Sequence, residues 1–185
     1  NLIIKKHEYI GNLQLIKIEF NNKKYSFSTS LIGKLQVKNL LFAILAASKS
    51  KINFNKIVES ISSIKPVEGR LESVGNIKNN SKVILDYAHT PDALKYTLES
   101  IKEQFNQSSI SIVFGCGGNR DRDKRPIMGK IANQYCNKIF LTDDNPRYEN
   151  PKKIRNQIKK KILRSKLVEI ASRKKAIKVA IENLK

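Results

Sequence analysis

Residues 13–20 alternate apolar and polar side chains, the period-two pattern of a strand, and Asn21-Asn22 follows as a turn. Residues 24–28 then read as a second strand, so the opening stretch predicts a β-hairpin. From residue 35 to 48 the apolar side chains fall on most faces, which predicts a well-buried helix. Residues 55–64 predict a second, shorter helix. Pro66 and Gly69 interrupt this pattern, and a domain boundary placed there divides residues 1–67 from residues 68–185.

Beyond that point the elements alternate. Strands are predicted at 82–86, 109–114, 138–142 and 167–171, and helices at 91–105, 127–135, 151–163 and 173–184. A βαβα rhythm predicts an α/β fold with a parallel sheet and helices on both faces. Three of the helices are expected to start with proline one residue inside: Pro91 after Thr90, Pro126 after Arg125 and Pro151 after Asn150. Proline is preorganised for the first helical position and forfeits no hydrogen bond there. Thr90 and Asn150 are in addition good N-cap residues.

Charge adds a second layer. The 185-residue chain has 36 Lys and Arg against 16 Asp and Glu, a formal net charge of +20, which favours an anionic partner. Its 40% hydrophobic content exceeds what a disordered polybasic tail would carry. The lysines are spread along the whole chain, but no arginine precedes residue 70. Arg is the better residue for a bidentate grip on carboxylate or phosphate, so the specific chemistry is expected after residue 69. Aromatic residues interleaved with cations, or a recognised binding motif, would be needed for a nucleic-acid reading. Neither is present, and no nucleic-acid partner is expected.

Cys116 and Cys136 fit a reducing, cytoplasmic setting better than a disulfide scaffold. The longest apolar run, residues 40–47, is too short for a membrane span, so no membrane insertion is expected. The chain starts with Asn1 rather than Met, and a piece of a longer protein is expected.

In an open parallel sheet, ligands bind beyond the carboxyl ends of the strands. Three polar clusters fall there: Asp86-Tyr87-Ala88-His89-Thr90-Pro91, Gly115 through Pro126, and Thr142-Asp143-Asp144-Asn145-Pro146-Arg147. All three are expected to converge on one sheet edge. Gly115, Gly117 and Gly118 allow a backbone to turn tightly and approach a ligand. The following Arg120, Asp121, Arg122, Asp123, Lys124 and Arg125 are more charge than a plain turn needs. In the third cluster the carboxylate and amide oxygens can accept from an ammonium, and Arg147 can fork onto a carboxylate. A zwitterion with an additional carboxylate suits that group, and an Asx turn before a proline is the plainer alternative.

Asp86 and His89 are further candidates, His89 as a base, a nucleotide contact or a cap. No third member of a hydrolytic triad accompanies them. His7 is expected to be a surface residue without partners, and no Cys/His spacing supports a zinc site. Cys116 is read as a small packing residue.

At these residues the chain resembles the Mur ligase family. The matching motifs are Gly69-Arg70-Leu71-Glu72, Asp86 through Pro91, Gly115 through Pro126, and Asp144-Asn145-Pro146-Arg147, with Asn39 ahead of a family-like helix. The resemblance implies a Rossmann-like, mostly parallel C-terminal domain in residues 68–185, incomplete at its end. Residues 1–67 would be the C-terminal part of a central ATP-binding domain.

It implies ATP-dependent ligation of meso-diaminopimelate to UDP-N-acetylmuramoyl-L-alanyl-D-glutamate through an acyl phosphate, in a cytoplasmic monomer. By this resemblance Asn39, Arg70, Asp86 and His89 face the nucleotide. Arg120, Asp144, Asn145, Pro146 and Arg147 hold the diaminopimelate. Arg147 suits it because lysine lacks the second carboxylate that an arginine can pair. The Mg²⁺ ligands and the Gly-Lys-Thr/Ser phosphate loop are expected upstream of this stretch. The 185 residues alone are therefore expected to be inactive. The alternative is a Rossmann-like module that binds a nucleotide or amino acid without chemistry.

Overall fold

The computed structural model describes residues 1–77 and 81–184, and they group into two compact units. The first comprises Asn1–Ser73 with Ile84–Asp86, and the second Val74–Val83 with Tyr87–Lys185.

The first unit opens with an antiparallel meander of β1 (Leu2–Ile10), β2 (Leu13–Phe20) and β3 (Lys23–Thr29). Pairing of Phe20 with Lys23 leaves a two-residue turn, Asn21-Asn22, and both asparagines have positive φ (50° and 62°). That is the backbone a tight hairpin needs, and asparagine tolerates it. The strand β1 escapes the sequence pattern because its apolar residues do not alternate cleanly and a bulge lies between Ile4 and Lys6.

The buried side of β2 is Gln14, Ile16 and Ile18, facing Phe27 and Thr29 of β3. Gln14 is fully buried yet satisfied: its Nε2 donates to the Leu31 carbonyl, and Oε1 lies 2.7 Å from His7 Nε2. His7, expected at the surface without partners, is thus half-buried, and its ring also meets Tyr9 edge-on. The reason is pairing register, which sets His7 of β1 opposite Ile16 and beside Gln14.

Over this sheet lie α1 (Lys34–Ala47), α2 (Phe54–Glu59) and one 3₁₀ turn, Ser60–Ser63. The helix α1 is less buried than its composition predicts. Val37, Leu40, Leu41 and Ile44 enter the core, but Phe42 is 69% and Leu35 47% exposed.

A two-stranded sheet of β4 (Glu72–Ile77) and β5 (Ser81–Leu85) follows. Here one strand departs from the expected parallel sheet. The strand β5 is paired with β4, and the parallel sheet among the described residues has three strands, β6 (Ser111–Phe114), β7 (Lys138–Leu141) and β8 (Leu167–Glu169), in that order. The sequence Glu-Ser-Val-Gly-Asn-Ile of β4 has neither apolar alternation nor an apolar run, so a partner for β5 adjacent in the chain went unseen.

In the second unit α3 (Pro91–Gln104), α4 (Lys124–Tyr135) and α5 (Pro151–Lys159) pack side by side. Leu94, Leu98, Met128, Ile131, Ala132, Ile154 and Ile158 meet Phe114, Ile139 and Leu141 of the sheet. The last helix, α6 (Arg173–Glu182), lies against β6 and β7 and buries Ala176 and Ala180 outside that cluster, so helices cover both faces.

The cap residues act as their sequence implies. Thr90 Oγ1 accepts from Ala93 N at 3.3 Å, and Asn150 Oδ1 from Lys152 N at 2.9 Å. Pro126 does not open its helix. Asp121 Oδ1 accepts from Asp123 N and Lys124 N, helical turns begin at Lys124, and Pro126 becomes the third residue, still without an intrahelical acceptor to lose. No described helix is long and apolar enough to cross a membrane.

Candidate functional site

The loops that leave β6 and β7 are built as one object. Parallel pairing sets Phe114 beside Leu141, so both chains leave the sheet together at Gly115 and Thr142. Gly118 N donates to the Asn145 carbonyl at 2.8 Å, and Tyr148 N donates to Asn119 Oδ1 at 3.1 Å. Arg147 Nη1 donates to the Gly118 carbonyl at 2.7 Å.

The glycines have a different use from the expected one. A Cβ on Gly118 would collide with the Pro146 carbonyl, and one on Gly115 with the Thr142 carbonyl. The close approach they permit is that of loop to loop, and it brings the second and third polar clusters together.

The expected series of cations divides in the same way. Arg125 is fully buried and is not available to a ligand. Its Nη1 donates to Glu149 Oε2 (3.0 Å) and Gln157 Oε1 (2.6 Å), and its Nη2 to Glu149 Oε1 (3.0 Å) and the Gly117 carbonyl (3.1 Å). Glu149 Oε1 also accepts from Asn119 N at 2.6 Å, and Arg122 lies 3.5 Å from Oε2. Sequence reasoning missed Glu149. The signal was a lone carboxylate between Arg147 and the Asn150 cap, in a stretch otherwise rich in cations.

Hydrogen bonds from the Arg125 guanidinium, followed by the Asn119 N–H, pull the Glu149 carboxyl from an ordinary 4.5 to about 2. A carboxyl whose pKa falls on folding stabilises the fold fully above its unfolded pKa, and this contribution fades as pH drops through the folded one. Acid destabilisation is therefore expected to steepen between about pH 4.5 and about pH 2. In E149Q this part of the melting-temperature curve should flatten, and an unchanged curve would remove Glu149 as the cause.

Other charged groups of the loops stay exposed, Asp121, Arg122 and Asp123 among them. Arg120 is exposed and has no ion pair among the described residues. Asp144, Asn145 and Arg147 are exposed beside it in the paired loop, with Pro146 half-buried. Arg147 has φ +49° and Asn119 φ +50°, left-handed backbone that the loop contacts hold in place. Asp143, the neighbouring acid, is used structurally: it pairs with Arg155, which also meets Glu169 at 2.8 Å.

Cys116 packs against Met128, with the sulfurs 3.7 Å apart, as a buried packing residue. Burial pushes its thiol up to about 11 and that of Cys136 to about 12. Neither should react with a thiol reagent at neutral pH until the chain unfolds. Stoichiometric modification of the native protein would contradict that expectation.

The other candidates occupy two places. In the first unit Gln36 Nε2 donates to the Arg70 carbonyl at 2.9 Å, and Asn39 lies one turn along α1 from Gln36. Leu71 N donates to Asp86 Oδ2 at 2.9 Å, so Asn39, Arg70 and Asp86 belong to one neighbourhood. His89 belongs to the second unit. It is exposed, its Nδ1 lies 3.1 Å from the Tyr87 carbonyl, and its own carbonyl accepts from Lys124 Nζ at 2.9 Å. That bond joins the cluster after β5 to the loop after β6. Among the described residues no group of three or more His, Cys, Asp or Glu could hold a metal ion.

Residues 69–185 match the family model described as Mur ligase, glutamate ligase domain. The chain belongs to the Mur ligase family. Among its Mur ligase relatives, the UDP-N-acetylmuramoyl-L-alanyl-D-glutamate–2,6-diaminopimelate ligase of Rickettsia felis is 46% identical over 173 residues, covering 93% of this chain and 32% of that protein. The ligase of the same name from Chelativorans sp. is 37% identical and covers 99% of this chain and 37% of its own length. The chain thus spans about a third of the length of these relatives.

A solved structure of a ligase of that name superposes with a TM-score of 0.74 at 31% identity, covering all of this chain and 38% of the other. The folylpolyglutamate synthase of Mycobacterium tuberculosis, complexed with ADP and AMPPCP, reaches a TM-score of 0.76 at 16% identity, over 98% of this chain and 40% of that one. At that identity the likeness is one of fold. The parallel sheet with helices on both faces is the Mur ligase C-terminal fold expected from the motifs.

Proposed function

We propose that this chain serves the ATP-dependent addition of meso-diaminopimelate to UDP-N-acetylmuramoyl-L-alanyl-D-glutamate, in peptidoglycan precursor synthesis. The observation that carries the reading is the paired loop of the second unit, in which Gly118 N meets the Asn145 carbonyl and Arg147 the Gly118 carbonyl beyond the carboxyl ends of β6 and β7, with Arg120 two residues on from Gly118 in the chain. The names of the relatives support the substrate.

In this reading Asp144 and Asn145 accept from the ammonium of the incoming amino acid, and Arg120 and Arg147 fork onto its carboxylates. Pro146 fixes the backbone between them and seats its carbonyl against Gly118. Asn39, Arg70 and Asp86 of the first unit face the nucleotide. Arg70 brings positive charge to the phosphates, in the unit that also carries Asn39 and Asp86.

ATP supplies a phosphoryl group that turns the peptide carboxylate into an acyl phosphate, which the amine attacks with loss of phosphate. The residues described here hold and orient the amine for that attack, and they exclude amino acids that leave Arg147 without a carboxylate. In this reading Mg²⁺ accompanies the ATP. The protein acts as a cytoplasmic monomer.

The test is a graft. Residues 1–185 replace the matching segment of the Rickettsia felis relative, and the hybrid receives ATP, the UDP-linked dipeptide and meso-diaminopimelate. Release of ADP and phosphate with the amide product is expected. A folded hybrid that makes none would sink the proposal.

A further inference from the structure

Arg125 is fully buried, and the Arg125–Glu149 pair holds the turn onto which Arg147 is fastened. Glu149 Oε1 takes the N–H of Asn119, and Arg125 Nη2 takes the carbonyl of Gly117. The two ends of the Gly117–Asn119 turn are thus bonded to one ion pair. Arg147 is fastened to the middle and end of the same turn, its guanidinium on the Gly118 carbonyl and the adjacent Tyr148 N–H on Asn119 Oδ1. Arg120 follows Asn119 directly in the chain.

A purely structural pair would be expected to satisfy all its buried donors. Arg125 Nε is buried and has no hydrogen-bond partner among the described residues. Leaving a charged donor unpaired is a cost to the fold, and replacing buried ion pairs by apolar residues is often neutral or stabilising. Arg147 is also held at φ +49°, a backbone conformation that a free arginine disfavours.

We propose that Arg125 and Glu149 are positioning residues that set the placement of the Arg147 and Arg120 guanidinium groups, and through it the preference for an amino acid with a second carboxylate over one without. The inference about selectivity rests on the ligand reading given above; the positioning itself does not. Rigid placement matters because a displacement of about 1 Å at an orienting group can lower a rate on the order of a hundredfold.

The experiment uses the whole 185-residue chain. The double variant R125M/E149M replaces the pair with apolar side chains, and E149Q keeps the size of the carboxyl while removing its charge. Three quantities are read: melting temperature, amide hydrogen exchange at Asn119 and Tyr148, and calorimetric binding of meso-diaminopimelate and of L-lysine. The double variant should melt close to the parent. Its Asn119 and Tyr148 amides should exchange faster, and its preference for meso-diaminopimelate should fall by roughly tenfold or more.

Unchanged amide protection with unchanged preference overturns the proposal and makes the pair a filling of the core. If the double variant does not fold, E149Q is judged by the same two readings. If the parent chain does not distinguish meso-diaminopimelate from lysine, the ligand reading fails. Amide exchange then still decides the positioning: faster exchange at Asn119 and Tyr148 supports it, and retained protection overturns it.

Discussion

Arg147→Ala is expected to lower kcat/KM for meso-diaminopimelate by about a hundredfold in the grafted ligase, and to leave the KM for ATP unchanged. The estimate follows from losing charge-assisted hydrogen bonds worth about 1.5–3 kcal/mol each to a carboxylate that stays desolvated. Arg147 is exposed, and its bond within the protein is to the Gly118 carbonyl, so the melting temperature should move little. Arg147→Lys keeps the charge but loses the planar fork, and should fall between the two. Equal losses for both substrates would show that Arg147 supports the fold rather than the amino acid.

The second large effect is expected at Gly118. Gly118→Ala drives a Cβ into the Pro146 carbonyl, with that carbonyl carbon at 2.6 Å and Glu149 Cβ at 3.2 Å. Neither neighbour is the free end of a flexible side chain, so the loops must part. Such overpacking costs about 1–3 kcal/mol, and it should also abolish binding of the amino acid, because Arg147 and Asn145 move with Pro146. Gly75→Ala is the matched control, since a Cβ there meets nothing within 4 Å. Melting curves and titration with meso-diaminopimelate check both variants. Full binding by G118A would mean that the loop pair is not what presents the ligand groups.

The parts of the fold legible in the sequence are those fixed by local chemistry. Pro91 after Thr90 and Pro151 after Asn150 mark helix starts that the structure reproduces, because the cap oxygen and the missing proline N–H act within one turn. Asn21-Asn22 marks its hairpin for the same reason. Pairing between segments was harder to read. The partner of β5 is a strand without an apolar pattern, and no periodicity could assign it.

The candidate site divides likewise. Its exposed polar groups stood out because three polar clusters followed three predicted strands. Which charges were structural did not, since Arg120 and Arg125 look alike in sequence. Only the fold turns Arg125 inward onto Glu149, and leaves Arg120 outside. The glycines show a related ambiguity. A backbone that needs close approach signals a tight contact, but not whether the neighbour is a ligand or another loop of the same chain.

The large positive charge is narrowed by the same division. Arg125 and Arg155 are committed to buried or half-buried pairs with Glu149, Asp143 and Glu169. Scattered lysines contribute at most a weak, salt-screened attraction for anions. Arg120, Arg122 and Arg147 are the exposed arginines of the paired loops, with Arg122 beside Glu149.

The measurement that bears most directly on the central claim is competition between meso-diaminopimelate and L-lysine in the grafted ligase, read as the ratio of kcat/KM values. Recognition of a second carboxylate by Arg147 predicts a strong preference for meso-diaminopimelate that largely disappears in R147A. Equal use of the two amino acids by the unaltered graft, or a preference that survives R147A intact, would contradict it.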